Sequence, residues 1–212
     1  MNRRSQILAL FFVLALTGAG ESRGQISALI KIGLSGSTLS GDTPTDFSAI
    51  TRFAGGAGLS YDLGNGLLIQ PEFLYIIKGA TGKGSIDIVP IENPVPIQAT
   101  FELTYLEVPV LLIYRFERRG LSPRIFAGPT LSFKLDSQVT FSALDGGPEF
   151  QERDDTVESS DLGITVGLGF DTEMGDELFT VGLRGTYGLS NARTGDPALH
   201  NTAFGVYAGF VF

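Results

Sequence analysis

An eight-stranded antiparallel up-and-down transmembrane β-barrel is the fold this sequence predicts, and three observations predict it. Large apolar residues alternate with small or polar ones through eight separate stretches, the period-two signature of strands with two unlike faces. The stretches are joined alternately by short turns and long polar loops, the layout of an up-and-down membrane barrel. The composition is apolar, with mean hydropathy +0.19 and only 18% charged residues. Yet no stretch after the N-terminus holds the roughly 18 continuous apolar residues that a membrane helix needs.

The N-terminus reads as a secretory signal peptide over residues 1–24, separate from the barrel domain over 25–212. Arg3 and Arg4 make a basic start, and Ile7 to Leu16 is an apolar run too short to span a membrane. Small residues at the required spacing place cleavage after Ala19 or after Gly24.

The first strand is Ala28 to Gly36, with Ala28, Ile30, Ile32 and Leu34 on one face and Lys31, Gly33 and Ser35 on the other. Arg52 to Leu63 is the second, with Phe53, Ala57, Leu59, Tyr61 and Leu63 together. Gly64-Asn-Gly66 then turns the chain, because Asn-Gly is the strongest short hairpin signal. Leu67 to Lys78 is the third strand, its apolar face opposed by Gln70 and Glu72. Ala99 to Phe116 is the fourth, with Leu106, Val108, Val110, Leu112 and Tyr114 opposed by Tyr105, Glu107 and Arg115. Pro123 to Leu135 is the fifth, followed by a long loop in which Val139 to Phe141 can extend it. Asp161 to Thr172 and Leu178 to Leu189 are the sixth and seventh, Asp171 and Arg184 lying on their polar faces. Ala203 to Phe212 is the eighth, and it closes the barrel against the first. Most of the predicted strands are about 9–12 residues, the length a tilted strand needs to cross the hydrocarbon layer, and the fourth is the longest.

Face chemistry separates a membrane barrel from a soluble one. The polar face is mostly Gly, Ser and Thr, which fit a narrow lumen, and the other is Leu, Val, Ile and Phe on strand after strand. Bulky apolar residues facing lipid and small ones facing in is the expected arrangement. Pro71, Pro109 and Pro129 fall inside strands and each removes a ladder bond, so local bulges are expected there. A bulge at Pro109 would reverse the facing of Val110 to Arg115.

Several motifs then occur in order: Gln70-Pro-Glu-Phe-Leu-Tyr75 with Lys78-Gly79, Tyr105-Leu-Glu-Val-Pro109, Phe126-Ala-Gly-Pro129, and Leu162-Gly163. With the terminal phenylalanine, the chain resembles the PorT-family outer-membrane β-barrel proteins of Bacteroidetes-type bacteria. The resemblance implies an eight-stranded outer-membrane barrel and does not imply one activity. The family's namesake acts in protein secretion and gliding systems.

Glu72, Glu107, Arg124, Lys134 and Arg184 project to the predicted lumen. Buried charges of both signs must pair, so these five are expected to form a structural ionic network; a polar path or ligand site is the competing reading. The loop from Asp136 to Asp161 carries Asp145, Glu149, Glu152, Asp154, Asp155 and Glu158 against Arg153. Carboxylates suit a hard cation, but the calcium-loop spacing is absent, so a solvated loop is expected and no metal site. His200 is the single histidine. Ser190 and Asp196 share its loop, yet sequence neighbours on a loop are not a preorganised triad. Gly163 to Gly169 reads G-x-x-x-G-x-G without a following helix, so a phosphate loop is not expected. Tyr61, Tyr75, Tyr114 and Phe116 fit interfacial girdles.

Net charge is −8, which disfavours nucleic acid as a partner. There is no cysteine, hence no disulfide and no thiolate metal site. The expected function is non-enzymatic and cofactor-free: a structural, adhesive or envelope-accessory barrel acting through its outside loops. A narrow pore for small solutes and a component of a secretion or gliding system are the alternatives. Expected partners are outer-membrane lipid, envelope proteins, and the barrel-assembly machinery, which would read Phe210 and Phe212 of the last strand.

Overall fold

A computed structural model describes residues 26–41, 47–86, 95–116, 120–143, 149–153, 158–190 and 199–212. The signal segment assigned to residues 1–24 lies outside them. Among the described residues nine strands follow in chain order: β1 (Ile26–Gly41), β2 (Phe47–Gly64), β3 (Leu67–Ile86), β4 (Val95–Arg115), β5 (Leu121–Ala143), β6 (Phe150–Arg153), β7 (Ser160–Met174), β8 (Glu177–Gly188) and β9 (Leu199–Val211). Eight of them form a closed antiparallel circuit, β4-β3-β2-β1-β9-β8-β7-β5 and back to β4, while β6 adds to the outer end of β5.

Closure runs through β1 and β9, paired from Leu29 with Val211 to Gly41 with Leu199. Ala28 and Phe212 exchange two backbone hydrogen bonds of 2.8 and 2.9 Å. No barrel strand keeps a free edge along the closed wall, which is what hydrocarbon demands of a sheet. The turn after β2 holds Gly64, Asn65 and Gly66 at φ 89, 55 and 78°. Asn65 tolerates that left-handed region better than most side chains, and the Asp62 carboxylate accepts from Gly64 N–H at 2.7 Å.

The bulky apolar face points outward. Phe53 is 72% exposed and Ile32 68%, and the same face continues through Leu112, Ile125, Val166 and Leu168. The lumen is narrow, so glycine stands beside its large side chains. Tyr207 is flanked in the ladder by Gly33 and Gly182, and Arg184 by Gly167 and Gly205. A Cβ on Gly33 would sit 2.2 Å from the Val206 carbonyl oxygen and 2.7 Å from the Tyr207 ring.

Three expectations need correction. First, the strands of the barrel run from 12 to 23 residues, longer than most of the predicted ones. β3, β4 and β5 continue well past the lipid-facing belt, through segments expected to be loop. Second, β6 is a ninth strand inside the acidic segment, pairing Phe150 with Phe141 and Arg153 with Gln138. Third, no bulge occurs at the prolines. The β3–β4 and β5–β7 registers keep constant step through Pro71, Pro109 and Pro129. One missing N–H bond costs less than a bulge that would turn a whole run of side chains to the wrong solvent. Val110, Leu112 and Tyr114 therefore stay outward, with Leu111 and Ile113 buried.

The bulges lie elsewhere. β2 and β3 shift register between Ala49 and Ala54 and between Asp62 and Gly64. β4 and β5 shift where Thr104 pairs with Asp136 but Tyr105 with Lys134, which leaves Leu135 as the extra residue. Beyond it the alternation of β5 reverses: Phe133 and Leu135 face out, whereas Ser137 and Val139 are buried.

Candidate functional site

The middle of the lumen is filled by ionised side chains that the ladder brings to one level. Lys31 on β1 reaches Glu72 on β3, with Nζ at 2.7 and 2.6 Å from the two carboxylate oxygens. Arg184 on β8 donates from Nη1 to Glu72 Oε2 at 2.9 Å, and its Nη2 lies 3.6 Å from Glu107 Oε2. Lys78 lies 2.5 Å from Glu107 Oε1. Arg184 therefore bridges two carboxylates contributed by adjacent strands on the opposite wall. Gln70 donates to Glu72 at 2.6 Å and Ser132 to Glu107 at 3.3 Å. Both carboxylates are 0% exposed. At this depth an unpaired charge would be costly, so the neighbours are needed to hold each one ionised.

Rings and hydroxyls complete the level. Lys31 and Arg184 lie 5.4 and 5.9 Å from the centroid of Tyr207, and Lys78 lies 5.5 Å from that of Tyr105. Such contacts favour a cation over a π face. Thr165 joins Thr130 at 2.6 Å and Thr186 at 2.9 Å, tying β5, β7 and β8 across the inside.

Of the five residues named from sequence, Glu72, Glu107 and Arg184 meet in this cluster. Arg124 sits nearer the short-turn end, with Nε 3.3 Å from Asp171 Oδ1. Lys134 pairs with Tyr105 in the ladder, one step toward the long loops from Ser132. Lys31, Lys78 and Asp171 were not assigned to the network. The signal that finds them is face parity, since all three share the polar face with residues that were named. Sequence reasoning also missed apolar layers inside the barrel. Leu68, Leu111 and Ile113 pack with Phe126 on one side of the charges, and Ala54, Ile76, Leu103, Tyr105 and Tyr207 form another cluster.

Two further regions frame the cluster. Toward the short turns a vestibule of about 320 Å³ is lined by Gln70, Asp62, Arg115, Arg124, Asp171 and Asp176, among others. Toward the long loops, Ser190 Oγ donates to Asp161 Oδ1 at 2.8 Å and accepts from Leu162 N–H at 2.6 Å. His200 Nδ1 lies 3.1 Å from the carbonyl oxygen of Ser190, and its ring stacks on Tyr187 at 5.9 Å. The histidine thus meets the backbone of Ser190, and the hydroxyl serves the carboxylate of Asp161. Asp196 lies outside the described residues, as do Asp145, Asp154 and Asp155. Glu149, Glu152 and Glu158 are exposed, and no cluster of metal-ligating side chains occurs among the described residues. Tyr61, Tyr114 and Phe116 are exposed near the short turns, the last two in edge-to-face contact at 4.8 Å, and Tyr75 is exposed farther up β3.

Comparison with known proteins follows the geometry. The model of a family described as outer membrane protein beta-barrel domain matches residues 20–193. Among solved structures, Neisserial surface protein A is similar at 13% identity and TM-score 0.47, over 88% of this chain and 98% of that one. The attachment invasion locus protein Ail of Yersinia pestis is similar at 14% and 0.43, over 89% and 100%. The outer membrane protein OprG from Pseudomonas aeruginosa is similar at 11% and 0.47, over 89% and 96%. No curated protein matches.

Proposed function

This chain belongs to the outer membrane protein beta-barrel domain family, which places it in the bacterial outer membrane, and on that premise we propose that it is a closed, non-enzymatic barrel with an adhesive or envelope-accessory role. The observation that carries this reading is the fully buried cluster of Glu72, Glu107 and Arg184 across the middle of the lumen. A bore filled by paired charges and threonine hydroxyls leaves the long-loop end as the part able to meet other molecules. That end is where β3, β4 and β5 extend and where β6 is added.

Several narrower readings go with it. Residues 1–24 act as the export signal. The last strand, with Phe210 and Phe212, is what the barrel-assembly machinery engages. The charged lumen residues are structural, stiffening a tube whose outside is lipid. The accessory roles open to such a barrel include that of a component of a secretion or gliding system.

The vestibule of about 320 Å³ favours a second reading, a narrow pore, because the short-turn end of the bore is hollow as far as Gln70 and Arg124. Planar-bilayer recording separates the two. The purified barrel is expected to give no steps of uniform size. Steady single channels of defined conductance would replace the accessory reading with the pore.

A further inference from the structure

Between the ionic cluster and the vestibule lies a second, much smaller cavity of about 20 Å³. It is lined by Lys31, Arg124, Arg184, Thr180, Phe126 and Tyr207, with Gly182 and Ala208 supplying the space. Three of these side chains are cations, and no carboxylate is among its described lining residues. Thr180 is 3% exposed and its Oγ1 is buried without a hydrogen-bond partner among the described residues, while Nε of Arg124 has the ion pair with Asp171, the residue facing Thr180 across the β7–β8 ladder.

The carboxylates that pair with these cations stand off the cavity: Lys31 and Arg184 share Glu72, and Arg124 pairs with Asp171. A buried charge without a counter-charge is strongly disfavoured. Lys31 and Arg184 still have donors beyond those spent on Glu72, since an ammonium carries three and a guanidinium five.

We infer that this cavity is a binding site for one small monovalent anion of the halide class, held by Lys31, Arg124, Arg184 and the Thr180 hydroxyl. Its size selects the ligand. About 10–15 Å³ on this measure accommodates a single water, so a chloride fits where a phosphate or a carboxylate does not. Bound there, the anion gives the cations a counter-charge on the cavity side and locks Lys31 and Arg184 against Tyr207. The site does not depend on the adhesive or accessory reading.

The test uses the full barrel in detergent. Its thermal unfolding midpoint is measured in sodium chloride and in sodium gluconate at equal ionic strength, and crystals grown in sodium bromide are examined for anomalous scattering. The expected result is a midpoint several degrees higher in chloride, saturating with concentration, and one bromide peak between Arg124 and Thr180. Thr180→Val should remove most of the chloride shift. Equal midpoints in the two salts, a shift that Thr180→Val retains, or no bromide in the cavity each overturn the inference. If Thr180→Val does not fold, the bromide position in the unaltered protein decides alone.

Discussion

Below Leu135, β5 turns Phe133, Leu131 and Ile125 outward and Ser132, Thr130 and Arg124 inward. Above it, the same strand buries Val139, 6% exposed, and turns Gln138 outward. Its neighbour β4 does likewise: Leu103 is buried beside Ser137, while Glu102 pairs with Gln138 in the ladder. One continuous sheet therefore has opposite polarity in its two halves. In the lower half the outside solvent is lipid and the inside holds charge. In the upper half water lies outside and the apolar side chains pack inward, as in a soluble domain. A period-two strand cannot exchange its faces without a phase shift, and the extra residue at Leu135 supplies that shift on β5. On β4 no shift occurs; the residue types change instead, from Leu and Val to Thr and Glu at the outward positions. The lesson is that the sheet is matched to its surroundings level by level, by a bulge on one strand and by composition on the next.

Four substitutions probe the contrast, and the largest effect belongs to the lower lumen. Glu72→Ala strips the shared partner from Lys31 and Arg184 and leaves both buried cations under-compensated. A loss of about 3–5 kcal/mol is expected, the usual cost of breaking a buried pair from one side, read by urea unfolding in lipid vesicles. A loss below about 1 kcal/mol would mean that the cluster is hydrated and the bore open.

Next comes the outward face. Val166→Arg, in the middle of the lipid belt, is expected to destabilise by about 2–4 kcal/mol. Gln138→Arg, also facing outward but above the bulge, should stay within about 0.5 kcal/mol. Similar values for the two would erase the boundary drawn at Leu135. A small effect is expected as well for the exposed pair of Arg153 on β6 with Asp136, 3.5 Å apart. Arg153→Ala should cost no more than about 1 kcal/mol and less in high salt. A larger, salt-independent cost would show that β6 is held by a buried contact rather than by its four ladder pairs.

Much of the lower half was legible in the chain. Alternation identified the outward face, and Gly64-Asn65-Gly66 located a turn. The polar face put Glu72, Glu107 and Arg184 on the lumen side. The upper half was harder to read because its strands lack a bulky outward face. Gly79 to Gln98 looks like loop when lipid is the assumed solvent, yet Lys83 pairs with Gln98 in a regular ladder. β6, four exposed residues among acidic ones, carries no apolar pattern of its own. The prolines misled in the other direction, since a missing donor in one strand reads as a break although the neighbouring bonds hold the register. Lys31 and Lys78 were missed for a different reason: parity gives the face of a residue but not its height.

By itself the sequence determined which side chains face lipid, how many strands cross it and how they connect, because alternation and turn chemistry are local. Only the tertiary structure decided which charges meet. Glu72 and Arg184 are 112 residues apart, and their contact depends on closure and on the stagger of every intervening strand. It also decided the facing of the upper part of β5, because the extra residue at Leu135 reverses the alternation from there to the end of that strand.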